Sequence, residues 1–223
     1  MPAQFPGAAI LFDLDGTLVD TAEDLAGALN RALKTIGRKP CSIEVVKSMI
    51  GGGFPNLVAK GLEATGGPLP EAQFEEFVKK SRDDYEANVA VASKLYPGVS
   101  EALRALSMRG AKMGVCTNKP AGPSRKLLES LGIAKYLPVL VGGDSLPFKK
   151  PDPRMARETL KRLNVEAEHA VLVGDSETDL KLGRAAKLPV ILIEGGYELK
   201  PVKTLGADLV LRSMAQLSAS LVV

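Results

Sequence analysis

The sequence predicts an α/β fold in which a parallel-sheet core is interrupted after its first strand by an all-helical insertion. Three observations carry this expectation. Short apolar runs of strand length alternate with segments whose apolar residues recur at helical spacing, as when crossover helices join parallel strands. From about Thr21 to about Asn88 that rhythm fails, and only helical stripes and punctuation occur. The chemically suggestive residues directly follow strand-like runs, where open α/β sheets place their ligand crevice.

The first strand is Ala8 to Phe12, nearly continuous in apolar residues as buried parallel strands are. In the insertion, Leu25, Ala28, Leu29, Ala32, Leu33 and Ile36 form one apolar helix face, and Phe74, Phe77, Val78 and Tyr85 form another behind Pro70. Between them Ser42 suits a helix N-cap, Gly51 to Gly53 a break, and Pro55 a new start. The later strands are Lys112–Cys116, Pro138–Val141, Ala170–Val173, Pro189–Ile193 and Asp208–Leu211. Their connections carry helical stripes: Val99, Ala102, Leu103 and Leu106; Leu127, Leu128 and Leu131, ending at Gly132; and Met155, Ala156, Thr159, Leu160 and Leu163. The layout assigns residues 1–20 and 90–223 to a Rossmann-like core and 21–89 to the helical insertion.

Composition narrows the partners. With 223 residues, 45% hydrophobic and 25% charged, the chain suits a globular fold with a substantial core. No window of about 18 uninterrupted apolar residues is present, so a membrane span is not expected. The N-terminus has no signal-like basic and apolar stretch, and the expected location is the cytoplasm. Cys41 and Cys116 lack metal-ligand spacing and read as two reduced thiols. A net charge of +3, scattered along the chain, suits a small anion better than a nucleic acid. Monomer and homodimer both stay open.

Four strand ends carry polar clusters. Asp13-Leu14-Asp15-Gly16-Thr17 places two carboxylates beside a buried run, where like charges repel and desolvate each other unless a cation is present. An Asx turn with Gly16 at its bend is the plainer account. Thr117-Asn118 offers neutral donors or a capping loop before Pro120, and Lys150-Pro151 offers a presented cation or a solvated lysine. Asp175 and Asp179 share a face if a helix starts at Ser176, and acids also favour a helix start for its dipole alone. Taken jointly, the four clusters are not four accidents. Oxygen-only acidic ligands without His or Cys suit a hard cation such as magnesium, which shares its shell with a phosphoryl group. His169 lies off these positions, Ser176 suits a helix cap, and Asp20 reads as N-cap of the Thr21 helix or as a hinge residue.

Asp13-Leu14-Asp15-Gly16-Thr17, Thr117-Asn118, Lys150-Pro151 and Gly174-Asp175-Ser176-Glu177-Thr178-Asp179 resemble, in order and spacing, the four signature motifs of the haloacid dehalogenase superfamily of phosphohydrolases. The insertion resembles that superfamily's helical cap. More narrowly, Gly142 to Pro153 with Tyr96-Pro97-Gly98-Val99 resembles bacterial phosphoglycolate phosphatases. The resemblance implies that Asp13 is the nucleophile and Asp15 the general acid and base. It implies that Mg2+ is held by Asp13, the Asp15 carbonyl and Asp175, with Lys150 as a second positive centre. Gly16, Thr117 and the Asn118 backbone would cradle the phosphoryl oxygens, and Asp179 would orient Lys150 or a metal-bound water. The loop Gly51 to Gly53, with Gly52 at its centre, either faces the substrate as the cap's specificity loop or is a flexible helix end without substrate contact. The implied substrate is a small phosphorylated metabolite, 2-phosphoglycolate first. A sugar phosphate, pyrophosphate or a mutase reaction is an alternative, and a non-catalytic anion-binding module is one of another class.

Overall fold

The computed structural model describes residues 5–222. In chain order the strands are β1 (Phe5–Pro6), β2 (Ala9–Phe12), β3 (Val19–Asp20), β4 (Lys94–Leu95), β5 (Lys112–Cys116), β6 (Val139–Val141), β7 (Ala170–Gly174), β8 (Val190–Ile193), β9 (Leu209–Leu211) and β10 (Leu221–Val222). The helices are α1 (Ala22–Thr35), α2 (Ile43–Met49), α3 (Phe54–Gly66), α4 (Glu71–Ala87), α5 (Val99–Met108), α6 (Ala121–Ser130), α7 (Pro153–Leu163) and α8 (Glu177–Ala186). The chain divides into two compact units, one made of the residues up to Asp20 with those from Leu95 onward, the other Thr21–Lys94.

Six parallel strands form the sheet of the first unit in the order β6-β5-β2-β7-β8-β9. Its first strand in sequence is therefore central. All four residues of β2 are fully buried, which explains why that stretch reads as an unbroken apolar run rather than an alternating one. The register matters for chemistry: Phe12 lies opposite Val115 on one side and Val173 on the other. The residues that follow β5, β2 and β7 therefore emerge side by side at one edge. A core of Leu11, Val141, Met155, Leu160, Leu172, Leu182 and Leu192 seats α7 and α8 against the sheet.

Local chemistry starts the helices where they start. Asp152 caps α7 by accepting from Arg154 N at 2.9 Å, with Pro153 in the first turn. Ser176 caps α8 in a reciprocal capping box with Asp179. Asp175 therefore precedes that helix instead of sharing its face. The expectation that Asp20 caps α1 is also corrected: the N-cap position falls on Thr21, and the Asp20 carboxylate accepts from Tyr197 Oη at 2.7 Å.

The helical unit has its own apolar core, with Leu25, Leu29 and Leu33 of α1, Phe54, Leu57 and Leu62 of α3, and Phe77 and Tyr85 of α4. The Phe54 and Tyr85 rings lie 5.6 Å apart. The unit runs to Lys94, past the boundary expected at 89, because Ala92 N and Ser93 N return to the Asp24 carboxylate at 2.8 and 3.0 Å. Two short pairings, β1 with β10 and β3 with β4, were not signalled by the sequence. Two residues are too few for a periodic pattern.

Candidate active site

The four clusters of the α/β unit come together from loops that follow β2, β5, β6 and β7. Asp13 continues straight out of β2, its N–H donating to Val173 O at 2.9 Å. Thr117 does the same from β5, its N–H reaching Val141 O at 3.0 Å. Lys150 arrives from the longer loop after β6, and its backbone is gripped by the Asn118 side chain. Lys150 N donates to Asn118 Oδ1 at 2.8 Å, and Asn118 Nδ2 donates to Lys150 O at 3.2 Å. The Asn118 amide is thus spent on positioning the lysine, so any contact of Asn118 with an anion falls to its main chain.

Lys150 Nζ sits between two carboxylates, 2.8 Å from Asp13 Oδ1 and 2.7 Å from Asp179 Oδ1. The other oxygen of Asp179 accepts from Ser176 Oγ at 2.6 Å and from the N–H groups of Asp175 and Ser176. With both oxygens engaged, Asp179 acts as the holder of Lys150 in this arrangement. Asp175 Oδ1 accepts from Thr17 Oγ1 at 2.8 Å and its Oδ2 from Tyr197 N at 2.8 Å. Two glycines make room for it: a Cβ at Gly16 or at Gly196 would overlap the Asp175 carboxylate. Asp15 stands apart from this group, with Lys119 Nζ at 3.1 and 3.3 Å from its two oxygens.

The electrostatics are those of a crowded anionic pocket. Burial pushes the Asp13 carboxyl up to about 6, the Asp179 charge adding to the effect and Lys150 opposing it. Burial also raises Asp175 well above the carboxylate range, with the charges of Asp179 and Asp13 behind it and the Tyr197 amide and Thr17 hydroxyl against it. For Lys150, burial pulls downward, but Asp13 and Asp179 outweigh it and hold the ammonium above the ordinary lysine range. Burial drives the Cys116 thiol to about 12, so it is an inert neighbour.

This donor set fits a hard divalent cation. Asp13, Asp175 and Asp179 each bring an oxygen within 4.8 Å of the others. Asp13 Oδ1 is buried, with the Lys150 ammonium 2.8 Å away. Three carboxylates, Asp13, Asp175 and Asp179, share one ammonium, Lys150, leaving two formal negative charges for a cation to offset.

Three residues of this site were missed as functional from the sequence alone. Thr17 lies inside the first motif and Lys119 directly follows Thr117-Asn118, but neither carried a role. Tyr197, with Gly196 before it, follows β8, so the rule that ligands gather at strand carboxyl ends was signal enough to find it. Gly52 lies in the helical unit, in the break between α2 and α3. His169 sits in a short 3-10 turn before β7, among the residues that lead into the strand's far end.

The chain belongs to the haloacid dehalogenase-like hydrolase family, whose sequence model matches residues 10–193. Within that family it is a phosphatase. It is 41% identical over 207 residues to the phosphoglycolate phosphatase of Caulobacter vibrioides, covering 93% of this chain and 87% of that one. It is 42% identical over 217 residues to that of Rhodospirillum rubrum, covering 94% and 88%. Among solved structures, a predicted phosphoglycolate phosphatase from Haemophilus somnus superposes with a TM-score of 0.89 at 31% identity, covering 96% of this chain and 97% of that one. CbbY from Rhodobacter sphaeroides, solved in complex with phosphate, gives 0.80 at 26% identity, covering 94% and 96%.

Proposed function

We propose that this phosphatase hydrolyses 2-phosphoglycolate to glycolate and phosphate, requires Mg2+, and works through an aspartyl-phosphate on Asp13. The observation that supports this most is the convergence of Asp13, Asp175 and Lys150 at the ends of adjacent parallel strands, with Asp15 two residues along. The substrate rests on the relatives named above. In the first step Asp13 attacks phosphorus in line. The P–O bond to the leaving group breaks, its electron pair stays on that oxygen, and Asp15 supplies the proton. In the second, Asp15 takes a proton from the water that attacks phosphorus, and the Asp13 carboxylate is restored.

A carboxylate about 3.5 Å from a phosphoryl dianion is repelled by about 9 kcal/mol at an effective dielectric near 20. Lys150 offsets part of this and is kept charged by Asp13 and Asp179. Asp13, the Asp15 carbonyl and Asp175 would hold the Mg2+, which when bound supplies the remaining positive charge at the phosphoryl oxygens. The Gly16 amide, Thr117 and the Asn118 main chain bind the phosphoryl group in this reading. The helical insertion serves as the cap that excludes water, with Gly52 on its substrate-facing loop, and the enzyme works in the cytoplasm.

Asp13→Asn is expected to reduce turnover of p-nitrophenyl phosphate by about a thousandfold or more. Turnover near wild type eliminates the nucleophile. EDTA is expected to abolish activity and Mg2+ to restore it. A panel of small phosphates tests the substrate: 2-phosphoglycolate ranking far below sugar phosphates or pyrophosphate in kcat/KM overturns that assignment.

A further inference from the structure

We propose that Lys119 is the positioning residue for Asp15, fixing where that carboxylate stands relative to the leaving oxygen; this rests on the phosphatase reading above. Lys119 is not a solvated surface lysine. Its side chain is 4% exposed and that of Asp15 18%, and both carboxylate oxygens lie close to the one ammonium. An ammonium taken out of water costs several kcal/mol unless a partner compensates it, and breaking such a pair leaves the survivor uncompensated.

The loop that carries Lys119 is built to hold it. Lys119 N donates to Thr117 Oγ1 at 3.3 Å, and Lys119 O accepts from Gly143 N at 2.9 Å. Two residues on, Ala121 N donates to Asp144 Oδ1 at 2.7 Å. A Cβ at Gly143 would overlap Asn118 O, and one at Gly142 would crowd Ala121 N. The glycine pair after β6 thus lets two loops lie backbone to backbone, and their contact sets the origin of the lysine side chain. Asp15 follows β2 by two residues, its backbone bridged to Val19 in the turn closed by Gly16 N to Val19 O at 3.0 Å. With the turn fixing its backbone, Lys119 meets both oxygens of the Asp15 carboxylate and so fixes where its end stands.

The test is how steeply kcat/KM depends on the leaving group, because a proton donor matters most when the departing oxygen is strongly basic. Phenyl, p-nitrophenyl and 2,4-dinitrophenyl phosphate form a suitable series of similar size. Lys119→Met is expected to lower kcat/KM for phenyl phosphate by about tenfold to a hundredfold and for 2,4-dinitrophenyl phosphate by less than about threefold, steepening the dependence. Equal losses along the series, or none, overturn the proposal, since a lysine that only binds the phosphoryl group or supports the loop affects every member alike. If Lys119→Met does not fold, Lys119→Arg decides: a steepened series supports the role and an unchanged slope overturns it. Wild-type turnover of the series is the mark of the underlying reading, so its absence is separable from a failure of the Lys119 assignment.

Discussion

Asp13 is buried where an isolated carboxyl favours its neutral form, yet the proposed chemistry needs it ionised. Its pKa is raised from 3.8 to about 6, so the folded chain holds its proton more tightly than the unfolded chain does. The stability this contributes is complete below the unfolded value and is lost as pH rises through about 6. A divalent cation reverses the sign, because it binds the ionised form and must displace the proton. The melting-temperature rise caused by Mg2+ is therefore expected to be larger at pH 7.5 than at pH 5, as thermal denaturation at both pH values will read. Asp13→Asn removes the buried charge, and without metal at pH 7.5 it is expected to stabilise the protein by about 1 to 3 kcal/mol. A destabilised variant would show that the Lys150 ion pair outweighs the burial of Asp13.

The loops that follow the strands are shaped by backbone clearance as much as by side-chain chemistry. Gly196 brings the segment after β8 against Asp175 so closely that Tyr197 N reaches its Oδ2. Gly196→Ala is expected to push that carboxylate aside and raise the Mg2+ concentration for half-maximal activity by about tenfold or more. The measurement is activity against Mg2+ concentration, and an unchanged midpoint excludes Asp175 as a ligand whose position matters. Asn118 works the same way on another loop, since Asn118→Ala removes both bonds to the Lys150 backbone. The expected cost is about 1 to 3 kcal/mol of stability together with a lower kcat, readable by denaturant unfolding and steady-state kinetics. These element-scale contacts were illegible in the sequence. A motif shows which residue types follow a strand, but the Asn118 pairing spans 32 residues and the Thr17 bond to Asp175 spans 158. Their partners become neighbours only once the strand order brings β6, β5, β2 and β7 together.

Across the whole molecule, each of the two units has a separate apolar core. Leu29 is fully buried in the helical one, against Gly61 of α3, where a Cβ would crowd its methyl groups. Leu29→Ala is expected to cost about 2 to 5 kcal/mol in that unit, lowering its calorimetric transition while leaving that of the α/β unit in place. A single transition shifted as one would show that the units unfold together. Among the described residues no helix is long and apolar enough to cross a membrane.

Apolar periodicity alone determined the alternation of strands and helices, the helical interruption after β2 and the strand ends at which the acids, the lysine and the hydroxyl stand. It could do so because burial on one face or on two leaves a period in the chain itself, and because a parallel sheet delivers every strand's carboxyl end to the same side. Tertiary structure alone decided which acid holds which lysine, that Asn118 spends its amide on the Lys150 backbone, and that Lys119 belongs with Asp15. Those pairings depend on distances of about 3 Å between segments far apart in sequence, and such proximity arises from strand order and loop clearance, neither of which has a local signature.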